Sequence, residues 1–175
     1  MLISNTDILI RLLVAFFVGI LMGEERTFRQ KPAGTSTHTI VCLSSTLVTI
    51  ISAYGFGDFA STYTMDPARL VTGILTGVGF IGAGIIWKES GSATGKIKGI
   101  TTAANIFLVA CLGIAIGLGH FFLAGVTVAL AILVLEASIW RKIYLNKKTQ
   151  KEASEHQLDQ SEQDIIPGEW GEDET

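Results

Sequence analysis

Charge is the scarcest property of this chain. Of its 175 residues 17% are charged, against about 25% in an average soluble domain, and 49% are hydrophobic. A purely water-soluble domain is therefore excluded. The few charges are also segregated: residues 1–145 hold ten Lys/Arg and seven Asp/Glu, whereas residues 146–175 hold three and nine. The net charge of −3 averages a mildly basic body with an acidic tail, and a nucleic-acid partner is not implied. Cysteine is scarce as well. Cys42 and Cys111 lie inside apolar runs, which excludes a disulfide framework and makes both packing residues. No P-loop, nucleotide-binding domain or phosphorylation site of an ATPase can be read, which argues against pumping driven by ATP.

Apolar sequence in long runs is what remains. At roughly 20 residues per span, five spans are read: 8–22, 39–54, 70–87, 100–118 and 121–139. The expected fold is an all-α, polytopic transmembrane helix bundle. The first two spans are short, so Arg11 and residues 52–54 are expected at headgroup depth, reached by snorkelling or bilayer thinning. The first run reads as a span rather than a cleaved signal, because no basic residue precedes it and no small-x-small site follows. With the N-terminus outside, 11 of 13 Lys/Arg fall inside, leaving only Arg11 and Arg69 near the outer face. The C-terminus is then cytoplasmic. Residues 1–145 form the membrane domain, and residues 146–175 form a polar tail, extended or partly helical. Trp170 within it reads as part of a solvated tail or as a docking peptide.

Small residues recur at four-residue spacing, as membrane helices need for close approach: Ala15/Gly19/Gly23, Gly73/Gly77, Gly113/Gly117 and Gly125/Ala129. They suit one compact bundle, or a homodimer face built from one stripe. Gly77-x-Gly79-x-x-Gly82 spells a dinucleotide fingerprint, but it sits inside an apolar span with no acid about 20 residues on. Helix packing is the expected role of Gly73, Gly77, Gly79, Gly82 and Gly84. Gly55-x-Gly57-Asp58 matches an intramembrane aspartyl protease motif, yet the nearest partner carboxylate, Asp66, lies in the same loop instead of on a facing helix. An enzyme is not expected.

Ionisable groups at membrane depth are costly, so each needs a reason. Glu24, Glu25 and Arg26 end the first span, Thr37-His38 begins the second, and Lys98 with Thr101-Thr102 begins the fourth. Asn105 lies one turn deeper and Glu136 one turn inside the fifth span. Glu25, Arg26, His38, Thr101, Thr102, Asn105 and Glu136 fall at one depth and form a candidate polar cluster on the cytoplasmic side. It reads either as a binding or ion-handling site or as mutual satisfaction of helix ends. On the outer face Asp66-Pro67 is N-cap grammar, with Arg69 within reach of Asp66. Asp7, Asp58 and Asp66 are hard oxygen ligands, but they are scattered, and the identity of any metal stays open.

The ordered set of motifs resembles the MgtC/SapB family of bacterial inner-membrane proteins. The matching residues are Arg11-Leu12, Gly23 with Glu25-Arg26, Ala33-Gly34, Thr37-His38 and Asp66-Pro67-x-Arg69. They continue through Gly77-x-Gly79-Phe80-Ile81-Gly82-Ala83-Gly84, Gly99-x-Thr101-Thr102-Ala103-Ala104 and Gly117-Leu118-Gly119. Three departures stand out. Gly23-Glu24-Glu25-Arg26-Thr27 replaces a G-[L/I]-E-R-E pattern, Ser36 stands where an arginine is usual, and the acidic tail is too short for the ACT-like domain of many members.

The resemblance implies a protein linked to magnesium limitation and, in pathogens, to survival inside macrophages. It implies a regulator that contacts other membrane complexes, the F-type ATP synthase among them, and requires no cofactor. The expected partners are the lipid bilayer, such a complex and a second copy, in the bacterial inner membrane. The competing reading is a transporter or channel for Mg²⁺ or another ion. Against it, the middle of the bundle carries only neutral polar groups such as Ser45, Thr49, Thr76 and Asn105.

Overall fold

The computed structural model describes residues 3–56, 66, 68–88 and 97–137. The acidic tail, with Trp170, and Asp58 lie outside the described residues. The chain forms two compact units, Met1–Leu130 and Ala131–Thr175. The first contains α1 (Asn5–Phe28), α2 (Thr35–Tyr54), α3 (Ala68–Ile85), strands β1 (Trp87–Lys88) and β2 (Ile97–Lys98), and α4 (Ile100–Gly117). It also contains the start of α5 (Phe121–Ala137), whose last turns, from Ala131, belong to the second unit. Four helices, α1 to α4, are long and apolar enough to cross a membrane, and α5 is shorter over the described residues. The all-α membrane bundle is therefore present.

The helix ends differ from the expected spans, and local chemistry explains how. Both α1 and α2 run further toward their shared end than hydropathy suggests, from Met22 on to Phe28 and back from Thr39 to Thr35. Glu25 and Arg29, one turn apart, pair along the helix surface and carry α1 through its charged stretch. α1 then closes in a Schellman turn: Gln30 N–H donates to Thr27 O and Lys31 N–H to Arg26 O, with Gln30 at φ 51°. The third span stops two residues early. The chain turns after Ile85 and enters an antiparallel pair with Trp87 opposite Lys98 and Lys88 opposite Ile97. Gly99 makes that turn possible: it sits at φ 93°, and a Cβ there would run into the Ile85 carbonyl oxygen.

α2 and α4 form the core, each with 50% of its most apolar window buried, against 22% for α1 and 11% for α3. Glycine sets their distances. A Cβ on Gly19 would lie 2.5 Å from Thr39 Cα, and one on Gly23 2.5 Å from Thr35 Cα, so α1 and α2 touch backbone to backbone. Gly113 and Gly117 do the same for α4 on α2, facing the Cys42 carbonyl and the Thr49 side chain. The α1 and α4 stripes thus pack as expected, but the α3 stripe does not. Around Gly73, Gly77, Gly79 and Gly84, as around Gly125, nothing in the described residues lies within 4 Å of an added Cβ; only Gly82 has a neighbour, Ala103 Cβ at 3.6 Å. The cause is that α3 lies against the bundle along a single narrow line, with only Val78 and Gly82 buried.

Candidate functional site

Four of the seven residues of the expected cluster, Glu25, Arg26, His38 and Asn105, lie in two pairs where α1 ends and α2 and α4 begin. The tight α1–α2 contact at Gly23 brings the last turn of α1 beside the first turn of α2. Arg26 is 3% exposed on α1, and its Nε and Nη2 donate to the two carboxylate oxygens of Glu25, the Nη2 bond measuring 2.8 Å. Glu25 Oε1, which accepts from Arg26 Nη2, also meets Arg29 Nε. One carboxylate therefore holds two guanidinium groups, which is what a buried arginine needs at this depth.

His38 is fully buried one turn into α2. Its Nδ1 lies 2.8 Å from Gly34 O and its Nε2 3.0 Å from Asn105 Nδ2 on α4. A carbonyl oxygen can only accept, so Nδ1 carries the proton; Nε2 then accepts from the Asn105 amide. His38 thus bridges α2 and α4. Thr102 is buried on the same face of α4 as Asn105, three residues away, whereas Thr101 is exposed on the rim. Glu136 is exposed near the end of α5 and belongs to the second unit, so the cluster described here is built from the first unit alone.

Two contributors lie outside the expected set. Arg29 shares Glu25, and the i,i+4 spacing of the pair is a legible signal. Thr27 caps α2 from another helix: its Oγ1 accepts from Thr35 N–H at 2.8 Å and contacts Thr35 Oγ1 at 2.8 Å. It stands where the family pattern has its second acid, and a hydroxyl is sufficient to satisfy a helix N-terminus.

At the opposite end Asp66 acts as the expected cap of α3, its Oδ1 accepting from Ala68 N–H at 2.9 Å. That use replaces a side-chain pair with Arg69, which is exposed and engages Asp66 only through its backbone N–H, 3.1 Å from Asp66 O. Arg11 does more than snorkel. Its Nη1 donates to Gly117 O at 2.6 Å and to Tyr54 Oη at 3.2 Å, and its guanidinium stands 5.1 Å from the Tyr54 ring centre. It thereby closes the C-terminal ends of α2 and α4, where helix dipoles favour a cation.

Between the two ends α2 carries a buried row of hydroxyls. Thr39 and Thr49 donate to carbonyls four residues back in α2, and Thr46 donates across to Gly113 O at 2.9 Å. Thr46 thus fastens α2 to α4, whereas Thr39 and Thr49 satisfy their hydroxyls within α2. Among the described residues no group of three or more His, Cys, Asp or Glu is placed to hold a metal ion.

The sequence matches the MgtC family over residues 12–141. The chain belongs to the MgtC family. Among relatives, Protein SapB of Bacillus subtilis (strain 168) is 36% identical over 152 residues, 85% of this chain and 64% of that protein. The Escherichia coli (strain K12) protein named "Putative magnesium transporter YhiD" is 39% identical over 134 residues, 75% of this chain and 60% of its own. Protein MgtC of Brucella abortus (strain 2308) is 35% identical over 120 residues, 69% of this chain and 46% of its own. The chain thus spans under two thirds of the length of these relatives. No solved structure matches. Membership and four span-length apolar helices make this MgtC-family chain a multi-pass bacterial membrane protein in contact with the lipid bilayer.

Proposed function

We propose that this MgtC-family chain is a non-enzymatic regulator of the bacterial cytoplasmic membrane, acting by contact with another membrane complex. The F-type ATP synthase is the first partner to test, and magnesium limitation is the condition in which it acts. The N-terminus faces outward in this reading, so the Glu25–Arg26–His38–Asn105 end faces the cytoplasm. The observation that carries the proposal is that four charged and polar side chains at this end are engaged in two pairs, Arg26 with Glu25 and His38 with Asn105. The interfaces above them are sealed by glycine contacts at Gly19, Gly23, Gly113 and Gly117. Such an end supports a shaped docking surface, with exposed Ser36 and Thr101 on its rim, better than an ion path.

Transport is the second reading. It is favoured by the printed name of the YhiD relative and by the buried hydroxyl row of α2.

Inverted bacterial vesicles with and without the protein separate the two. Their proton gradients are measured after energising once with ATP and once by respiration. Loss of the ATP-driven gradient alone is the expected result. Collapse of both gradients would point to ion movement, and no effect on either would remove the synthase as partner.

A further inference from the structure

The hairpin between α3 and α4 has no part in the polar cluster, yet its composition is unusual for a connection. Directly opposed residues of an antiparallel pair project to one face. Trp87 and Lys98 therefore share one face, and Lys88 and Ile97 share the other. Each face carries one lysine and one large apolar side chain. Trp87 and Ile97 are 45% and 58% exposed, and Ile86 and Ile100 beside them are exposed as well.

The hairpin cannot hang freely into water. Gly99, in its left-handed conformation, presses against the Ile85 carbonyl and holds the base of the hairpin on the end of α3. Ile86 N–H donates to Ala83 O and closes the same turn. Four exposed apolar side chains and two lysines are thus fixed at the ends of two membrane helices. Hydrocarbon would reject the lysines and bulk water the apolar groups. The headgroup layer accepts both, indole lying among the headgroups and lysine reaching phosphate.

Charge points the same way. Among the described residues this end of the bundle holds Arg26, Arg29, Lys31, Lys88 and Lys98 against Glu24 and Glu25. Glu25 is engaged by Arg26 and Arg29, and Lys88 stands exposed on the strand pair. We propose that the strand pair β1–β2, Trp87–Lys88 against Ile97–Lys98, is an anionic-lipid anchor, Trp87 seated at the acyl boundary and Lys88 on the phosphate of an anionic phospholipid. The anchor would fix the depth of α3 and α4 and make the position of the neighbouring cluster depend on lipid composition.

The test uses the full-length chain carrying Trp140→Phe and Trp170→Phe, so that Trp87 is the remaining indole. It is reconstituted in phosphatidylcholine bilayers containing phosphatidylglycerol, with bromine placed near the head of the acyl chains of one lipid or the other. Trp87 fluorescence should be quenched preferentially by brominated phosphatidylglycerol. Lys88→Gln should reduce that preference about fivefold, and added salt should weaken it. Lys88 is exposed, so the variant's unfolding midpoint in pure phosphatidylcholine should match that of the parent. Equal quenching by both lipids, or a preference unchanged by Lys88→Gln, would overturn the anionic-lipid anchor. Absence of quenching by either would also overturn it, and would assign the exposed face to a protein partner.

Discussion

At the scale of single residues, the same amino acid has opposite roles on different helices. Gly19 and Gly113 are contact glycines: a Cβ at either would come within 2.5 Å of backbone on α2. Gly77 meets nothing within 4 Å. Gly19→Ala and Gly113→Ala should therefore each destabilise the bundle by about 1–3 kcal/mol through overpacking. Gly77→Ala should stabilise it by about 0.5–1 kcal/mol, since alanine restricts the unfolded chain and nothing opposes the new methyl. Unfolding midpoints of the three variants in lipid nanodiscs check this. A midpoint for Gly77→Ala as low as that of Gly19→Ala would mean that a second molecule packs on α3. Gln30 offers a related test, because it holds the left-handed position of the α1 turn without being glycine. Gln30→Gly should raise stability by about 1 kcal/mol, read from the same midpoint.

At the scale of elements, the helix ends decide what the bundle can hold. Arg11 joins three helices through the Gly117 carbonyl and the Tyr54 hydroxyl and ring. Arg11→Met keeps much of the apolar stem but removes the donors from the end of α4. It should cost about 1.5–3 kcal/mol, the usual range for a hydrogen bond to a charged group. Tyr54→Phe, which keeps the ring under the guanidinium, should cost less. Thermal unfolding of both variants is the measurement, and a larger loss in Tyr54→Phe would move the clamp from the carbonyl to the hydroxyl.

The helices themselves were legible because apolar runs of this length have few alternatives in lipid, where backbone groups must bond within their own segment. Of the seven residues expected at one depth, the structure pairs Glu25 with Arg26 and His38 with Asn105, while Glu136 belongs to the second unit. Less legible were the true ends. Hydropathy sees Glu24, Glu25 and Arg26 as leaving the membrane, whereas α1 continues through them on paired charges. The α3 glycines could not be assigned from sequence, because spacing records that a helix can be approached closely and not which neighbour approaches. The hairpin was hidden for another reason: two-residue strands leave no periodic pattern.

At the scale of the whole molecule, everything proposed for the cluster depends on which side of the membrane it faces. The ends of α1 and α3 and the beginnings of α2 and α4 come together, as the contacts Gly23–Thr35, Gly82–Ala103 and His38–Asn105 require. Among the described residues that end carries five Lys/Arg, and the other carries only Arg11 and Arg69. Arg11 is moreover engaged by the Gly117 carbonyl and Tyr54, so it contributes little to topology. This bias supports the proposed cytoplasmic placement of the cluster end. Single cysteines test this in a chain whose native thiols have been removed by Cys42→Ser and Cys111→Ala. Asn5 and Ser36 are both exposed and stand at opposite ends of the α1–α2 pair. With a membrane-impermeant maleimide on spheroplasts, Asn5→Cys should label at once and Ser36→Cys only after lysis. The reverse pattern would put the Glu25 cluster outside, away from the cytoplasmic face of any synthase, and the regulator reading would lose its partner. Labelling of both positions before lysis would reveal a mixed population and require the charge bias to be weaker than the five-to-two ratio predicts.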